Sequence, residues 1–324
     1  MLTPYQGLTP DLVLTAVAEL GLEPDGRLLE LNSYENRVYQ IGIEDGQPLV
    51  AKFYRPGRWS DEAIIEEHAF SQELADDEVP VVAPLRVAGR SLHACGGFRY
   101  AVYPRRGGRA PELDRIDVLE RIGRFLGRLH AVGARSAFCH RAAISIEQLG
   151  EESVATILAM DLIPEHVQVA YHTTVTDLLR RVRTVWQRAG SPAWIRLHGD
   201  CHPGNILWTD DGPHFVDLDD AVSGPAVQDL WMLLSGDRVD MTLQLDAVLA
   251  GYEDFRDFDR RELHLIEPLR TLRMLHHSAW LARRWDDPAF PRAFPWFGQN
   301  RYWEDQVLAL REQAALLDEP PLHV

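Results

Sequence analysis

The chain has 324 residues, 46% hydrophobic and 25% charged, which is ordinary for a folded protein and enough for more than one packed core. Its 33 basic and 49 acidic residues give a formal charge of −16, which argues against a nucleic-acid partner, since neutralising phosphates needs a basic surface. No apolar run approaches bilayer-spanning length, so no membrane partner is expected. The three cysteines, Cys95, Cys139 and Cys201, have no metal-ligand spacing, and the start of the chain, with Pro4 early and no basic leader, does not read as an export signal. A reduced, cytoplasmic protein is expected.

Thr9-Pro10 opens the first helix, with a hydroxyl cap, proline in the first turn and Leu12, Val13, Ala16, Val17 and Leu20 on one face, closed by Gly21. After Asn32-Ser33-Tyr34-Glu35-Asn36 the pattern predicts a hairpin of strands 37–43 and 49–54 around Asp45-Gly46, with Val50, Lys52 and Tyr54 on one face. Residues 64–74 read as a helix, 80–84 as an extended entry, and 100–103 as the end of an apolar strand. The proline- and glycine-rich stretch 104–111 then marks a lobe boundary, giving 1–104 and 105–324. Beyond it, Leu113, Ile116, Leu119, Ile122, Phe125, Leu126 and Leu129 recur at helical spacing up to Gly133. A second long helix is predicted over 167–188, then a loop with a short hairpin, then further helices from Pro225. The expected class is α+β: a small antiparallel-sheet lobe before a large helical lobe, with a nucleotide site in the cleft between them.

Asp200, Asn205 and Asp217 carry most of the information. They lie in Leu197-His198-Gly199-Asp200-Cys201-His202-Pro203-Gly204-Asn205-Ile206-Leu207 and at the end of the apolar strand Phe215-Val216-Asp217. In phosphoryl transfer one carboxylate accepts the proton of the attacking hydroxyl, while an amide oxygen and a second carboxylate hold magnesium against the nucleotide phosphates. Asp200 is the expected base, with Asn205 and Asp217 as metal ligands, Asp217 also counted as catalytic, and ATP and Mg2+ as cofactors. A lone loop aspartate more often caps a turn; the set is what is specific. Asp219 and Asp220 compete with Asp217, which has the better claim because it directly follows Phe215-Val216.

The expected nucleotide-binding set is Ser33, Val50, Lys52, Glu67 and Tyr103. Lys52, after Leu49-Val50-Ala51 on a strand, would steady the phosphates, and Val50 would cover the adenine. Glu66 and Glu67 are both available to hold the Lys52 ammonium. Glu67 is preferred because it shares an inward face with Phe70 and Leu74, which leaves Glu66 as a solvated charge. Ser33 and nearby amides stand where a glycine-rich loop would fold over the phosphates, although no G-x-G-x-x-G is present. His198 is expected to order the loop backbone, Asp229 to bond to it from a helix start, and Cys201 to pack. His202 is open between a phosphoryl contact and a structural hydrogen bond. His276-His277 are read as packed or surface histidines.

The His198-Gly199-Asp200 to Asn205 segment and Asp217 resemble the aminoglycoside phosphotransferase and choline kinase branch of the protein kinase-like fold. Ser33-Tyr34-Glu35-Asn36-Arg37, Lys52-Phe53-Tyr54-Arg55-Pro56, Gly224-Pro225-Ala226-Val227-Gln228-Asp229-Leu230-Trp231 and Asp287-Pro288-Ala289-Phe290-Pro291 are similar to a bacterial stress-linked group within it. The resemblance implies a cytoplasmic, monomeric, ATP- and magnesium-dependent serine/threonine protein kinase, acting on a protein hydroxyl. It also implies Asp200 as proton acceptor, Asn205 and Asp217 as magnesium ligands and Ser33 as a nucleotide contact. Phosphorylation of a small metabolite of the choline, homoserine or aminoglycoside kind is the alternative, because the Asp200 set treats any alcohol alike. A nucleotide sensor is disfavoured by the intact set. With Gly199 where protein kinases usually carry arginine, and no Ala-Pro-Glu after Asp217, activity is expected not to need activation-loop phosphorylation.

Overall fold

The computed structural model describes residues 4–324. Helix α1 (Pro10–Ala18) begins where Thr9 accepts a hydrogen bond from the Leu12 amide, and it ends three residues before Gly21. Five antiparallel strands follow in the order β1-β2-β3-β5-β4: β1 (Pro24–Leu31), β2 (Arg37–Ile43), β3 (Leu49–Phe53), β4 (His93–Cys95) and β5 (Phe98–Pro104). The sequence does not predict β1. It is an edge strand with a register shift between Pro24 and Leu28, and its half-exposed residues carry no clean alternation.

Alternation along β3 sorts the two faces of the sheet. Ala51 and Phe53 pack with Ile41, Tyr100 and Val102 under Val13, Ala16 and Val17 of α1. Lys52 and Tyr54 face the other way, where Tyr54 packs with Ala101 and with Ile64 of α2 (Asp61–Asp76). Ser60 caps α2, so the helix starts three residues before the predicted Ile64.

Beyond β5 the chain is mostly helical. Helices α3 (Ile116–Gly133), α4 (Glu152–Ala159) and α5 (Glu165–Arg188) precede β6 (Ile195–Leu197), the hairpin β7 (Ile206–Thr209) and β8 (Gly212–Phe215), and β9 (Val222–Gly224), which pairs with β6. Then come α6 (Gln228–Trp231), α7 (Arg238–Tyr252), α8 (Ile266–Arg283), α9 (Ala289–Ala293) and α10 (Asn300–Leu316). The extended entry predicted at 80–84 joins the two parts. The Phe215 amide donates to the Pro80 carbonyl at 2.8 Å and the Val82 amide to the Phe215 carbonyl at 3.1 Å, beside Asp217.

Helices α3 and α7 cross with almost no space between their backbones. A Cβ on Gly123 would meet the Val248 carbonyl oxygen at 2.0 Å, and one on Gly251 the Glu120 carbonyl oxygen at 1.9 Å. Alanine at 123 gains about 1 kcal/mol of helix propensity. Forcing the helices apart costs about 1–3 kcal/mol. Gly123→Ala is therefore expected to lower the urea midpoint, because the contact with α7 outweighs propensity. A variant as stable as the parent would show that the crossing is looser than described.

Candidate active site

The catalytic-loop backbone is fixed from below by one buried carboxylate. Asp229, at the start of α6, accepts from the His198 amide (2.8 Å), the Gly199 amide (2.8 Å) and His130 Nε2 (3.1 Å). Gln228 Nε2 adds a bond to the Gly199 carbonyl at 2.8 Å. The backbone role expected of Asp229 is thus observed, and so is that of His198, whose Nε2 donates to the Val216 carbonyl at 2.9 Å. Gly199 has φ +86°, and a Cβ there would lie 2.1 Å from the Asp220 carbonyl oxygen. That close approach leaves no room for the arginine side chain of other kinase loops.

The loop delivers Asn205 and Asp217 to adjacent places. Asn205 Nδ2 donates to the Asp200 carbonyl at 2.9 Å, which leaves Oδ1 as the free acceptor, and the Val216 amide donates to the Asn205 carbonyl at 3.0 Å. Asp217 itself has φ 61° and ψ 62°, a left-handed conformation that costs free energy in a non-glycine residue and gathers at functional sites. In this conformation its carboxylate meets Lys52 of β3, whose Nζ donates to Asp217 Oδ1 at 2.7 Å and lies 3.2 Å from Asp219 Oδ1. Burial alone would push the Lys52 ammonium down, but Asp217 and Asp219 outweigh it and hold the group charged.

The three candidate aspartates separate by environment. The Asp219 side chain is 4% exposed and already bound by Lys52, Arg58 and Asn36 Nδ2, whereas that of Asp217 is 52% exposed. Asp220 is paired with Arg58. Asp220 is nearly as exposed, at 48%, so what sets Asp217 apart is that among the described residues no arginine pairs with it. Among the described residues no group of three or more His, Cys, Asp or Glu side chains could enclose a metal. An accessible carboxylate beside a free amide oxygen instead suits magnesium, which takes few protein ligands and keeps water and phosphate oxygens.

Asp200 pairs with a residue that the sequence reading did not name. Arg273 of α8 donates to its Oδ1 at 2.6 Å, and His202 Nε2 lies 3.5 Å from its Oδ2. Burial would raise the Asp200 carboxyl, but Arg273 and then His202 prevail and hold it below the usual range. His202 Nδ1 accepts from the Gly204 amide at 2.9 Å, so its ring is engaged in shaping the loop. Cys201 is fully buried in the core, and burial pushes its thiol up, which suits packing rather than reactivity.

The two glutamates of α2 depart from expectation. Glu67 is buried and accepts from Ser71 Oγ at 3.0 Å, with His68 Nε2 at 3.6 Å, but the expected ion pair with Lys52 is not formed. Lys52 spends its charge on Asp217 and Asp219 instead. Glu66 is no solvated charge either: its carboxylate accepts from the successive amides of Cys139, His140 and Arg141 at 2.6, 2.7 and 2.9 Å. Arg141 continues to the Ala221 carbonyl at 2.9 Å, so Glu66 ties α2 to the segment after Asp217. Val50 pairs with Tyr103 across β3 and β5. The Tyr103 hydroxyl meets Tyr54 at 2.9 Å, and Tyr54 meets His68 at 2.7 Å.

Ser33 lies half-buried in the turn between β1 and β2. The residue that anchors this turn is its neighbour Glu35, which accepts from Trp280 Nε1 at 2.7 Å and from Arg284 Nη2 at 2.8 Å, with Arg55 at 3.2 Å. Arg55 reaches Asp287 at 2.6 Å, and Tyr34 packs on Phe294 with ring centroids 4.8 Å apart. Trp280 and Phe294 of the second lobe therefore touch the turn, while Trp303 and Phe297 are core.

Burial raises the Glu67 carboxyl to about 7, against an opposing pull from Lys52. A carboxyl raised on folding stabilises the fold below its ordinary range and loses that contribution as pH rises through its folded value. Between pH 5 and 8 the parent should therefore lose stability that Glu67→Gln, a mimic of the protonated acid, retains. Glu262, also raised to about 7, is present in both proteins and cancels in the difference. Parallel urea midpoints across this range would contradict the assignment.

Comparison with known proteins shows the family. The model of the phosphotransferase enzyme family matches residues 27–266. Stress response kinase A of Escherichia coli strain K12 is 47% identical over 320 residues, covering 99% of this chain and 97% of that protein. The serine/threonine protein kinase RdoA of Salmonella typhimurium is 48% identical with the same coverage. The amicoumacin kinase hAmiN, solved with AMP-PNP, Ca2+ and Ami, superimposes with a TM-score of 0.73 at 19% identity, over 96% of this chain and 94% of its own. A microcompartment-associated aminopropanol kinase gives 0.66 at 16% identity, over 94% and 96%. The chain has the kinase-like fold and belongs to the phosphotransferase enzyme family, among its stress response serine/threonine kinases.

Proposed function

We propose that this phosphotransferase moves the γ-phosphoryl group of ATP to a serine or threonine hydroxyl of a protein, with magnesium. The observation that carries the reading is the contact of Lys52 with Asp217, in a loop where Asp217 adjoins Asn205 and Asn205 adjoins Asp200. On this reading residues 1–104 form the nucleotide-binding lobe and 105–324 carry the catalytic loop and acceptor site. The enzyme acts as a cytoplasmic monomer, with no nucleic-acid or membrane partner. Among the described residues no helix is long and apolar enough to cross a membrane.

Each residue has a role set by its surroundings. Asp200, kept ionised by Arg273, accepts the proton of the acceptor hydroxyl as the phosphoryl group leaves ATP. Asn205 Oδ1 and the Asp217 carboxylate would hold magnesium, which when bound would supply charge neutralisation at the phosphates. Lys52 orients those phosphates. Val50 covers the adenine, with Tyr103 beside it across the strand pair. Ser33 and its turn close over the phosphates, held down through Glu35. Glu67 lies behind Lys52 and tunes the local charge without pairing directly. Leu218 to Val227, the stretch from Asp217 to α6, is taken up by a short 3-10 turn and β9, which supports activity without activation-loop phosphorylation.

Purified protein incubated with labelled ATP, magnesium, cell extract and a metabolite panel tests the proposal. Label is expected in protein on serine or threonine, and Asp200→Asn should lower the rate by about 10²–10⁴-fold while leaving the urea midpoint close to the parent's. Label confined to metabolites would replace the acceptor assignment. A near-parental rate in the variant would remove Asp200 as the base.

A further inference from the structure

One face of α8 reaches from Asp200 to the turn between β1 and β2 and carries arginines. At one end Arg273 donates to Asp200, and just past the other Arg284 holds Glu35. Between them stand His276, His277, Trp280 and Arg283, at spacings that share a helix face. Arg283 is exposed. Its Nη1 lies 3.4 Å from Thr156 Oγ1 and its Nη2 3.5 Å from His276 Nδ1, and among the described residues no carboxylate comes within 4.0 Å of it. Glu35 of the first lobe is already taken by Arg284, Arg55 and Arg58, and Glu152 of α4 pulls on Arg283 from beyond ion-pair distance.

The electropositive character is felt by the neighbouring rings. His276 is held down at about 4 by burial and then by Arg283, Arg273 and Arg58, and His277 is lowered by burial and Arg273. Both imidazoles are therefore neutral at pH 7 and do not add to the positive charge. With Arg273 already paired with Asp200, Arg283 supplies it, in a chain whose formal charge is −16. With no carboxylate on Arg283 among the described residues, this part of an acidic protein is arranged to receive an anion, not the cation its net charge would attract.

We propose that Arg283 is a specificity-determining residue that pairs with an acidic side chain of the acceptor peptide, the hydroxyl being presented at Asp200. This deepens the protein-kinase reading and rests on it. Arg273 and Arg283 are separated by roughly 15 Å at 1.5 Å per helical residue. An extended peptide advances about 3.3 Å per residue. The recognised acid therefore stands about four or five positions from the phosphorylated residue. A guanidinium presents a planar fork of donors matched to a carboxylate, which favours Asp or Glu at that position over a neutral amide.

The test uses the full chain and single-serine peptides carrying Glu, Gln or Lys four or five positions to either side. With the parent, kcat/KM for one Glu peptide should exceed that of its Gln counterpart about tenfold, chiefly through KM, as a hydrogen-bonded charge pair gives. Arg283→Glu should abolish that preference and favour the Lys peptide, with the KM for ATP unchanged, and Arg283→Ala should make the series equal. Equal rates on all three series with the parent, or an acid preference that survives in Arg283→Glu, would overturn the inference while leaving the protein-kinase reading intact. Transfer of label to metabolites and to none of the peptides would overturn both.

Discussion

The contact between Lys52 and Asp217 is the constraint from which the site follows. An ammonium taken out of water is costly unless opposite charge meets it at close range. Lys52 stands on an inner strand with its side chain 8% exposed, so the fold must bring carboxylates to it. Both partners come from the far part of the chain: Asp217 through a left-handed backbone conformation, Asp219 through the turn that follows. Asn36 and Arg58 secure Asp219 from the first lobe as well, so one short segment is gripped by several elements of the other part. Asp217 keeps half of its side chain in solvent and, unlike the equally exposed Asp220, has no arginine paired with it among the described residues, which leaves it free to exchange the lysine for other ligands.

Behind that contact lies a second layer with no chemistry of its own. Asp229 holds the backbone of His198 and Gly199, His198 holds the carbonyl before Asp217, and Glu66 holds three successive amides of the loop that carries Arg141. Asp229 and Glu66 are buried or half-buried acceptors satisfied by backbone donors, His198 donates to a backbone carbonyl, and together they fix the backbone of the loop. The turn between β1 and β2 is secured in the same way. Without glycines to let it mould itself to a ligand, it is bolted through Glu35 to Trp280 and Arg284. A loop secured by side chains replaces a loop made pliable by composition.

Asp200, Asn205, Asp217 and Lys52 were legible because their spacing is local, or tied to one strand, and because a kinase-like loop leaves few other uses for them. The hairpin of β2 and β3 and the helices α3 and α5 were legible for the same reason: period and punctuation agree along the chain. What was hidden depends on distant contacts. Arg273 sits 73 positions from Asp200, on a helix where several exposed cations look alike. The periodicity of α2 rightly turns Glu67 inward, but it carries no sign of the loop at Cys139–Arg141 that claims Glu66. Nor does it show that Lys52 already has two carboxylates. Strand β1 escaped because Pro24, Asp25 and Gly26 read as turn residues, and only its pairing with β2 makes it a strand.

Asp217 is the residue through which, on the proposed reading, strand-borne charge, metal and nucleotide meet, so it offers the most direct measurement. A non-hydrolysable ATP analogue is titrated calorimetrically into the parent and into Asp217→Asn, which tolerates the left-handed backbone and removes only the charge, at rising magnesium. Affinity that climbs with magnesium in the parent and stays flat in the variant is the predicted result. The same climb in both proteins would contradict the account.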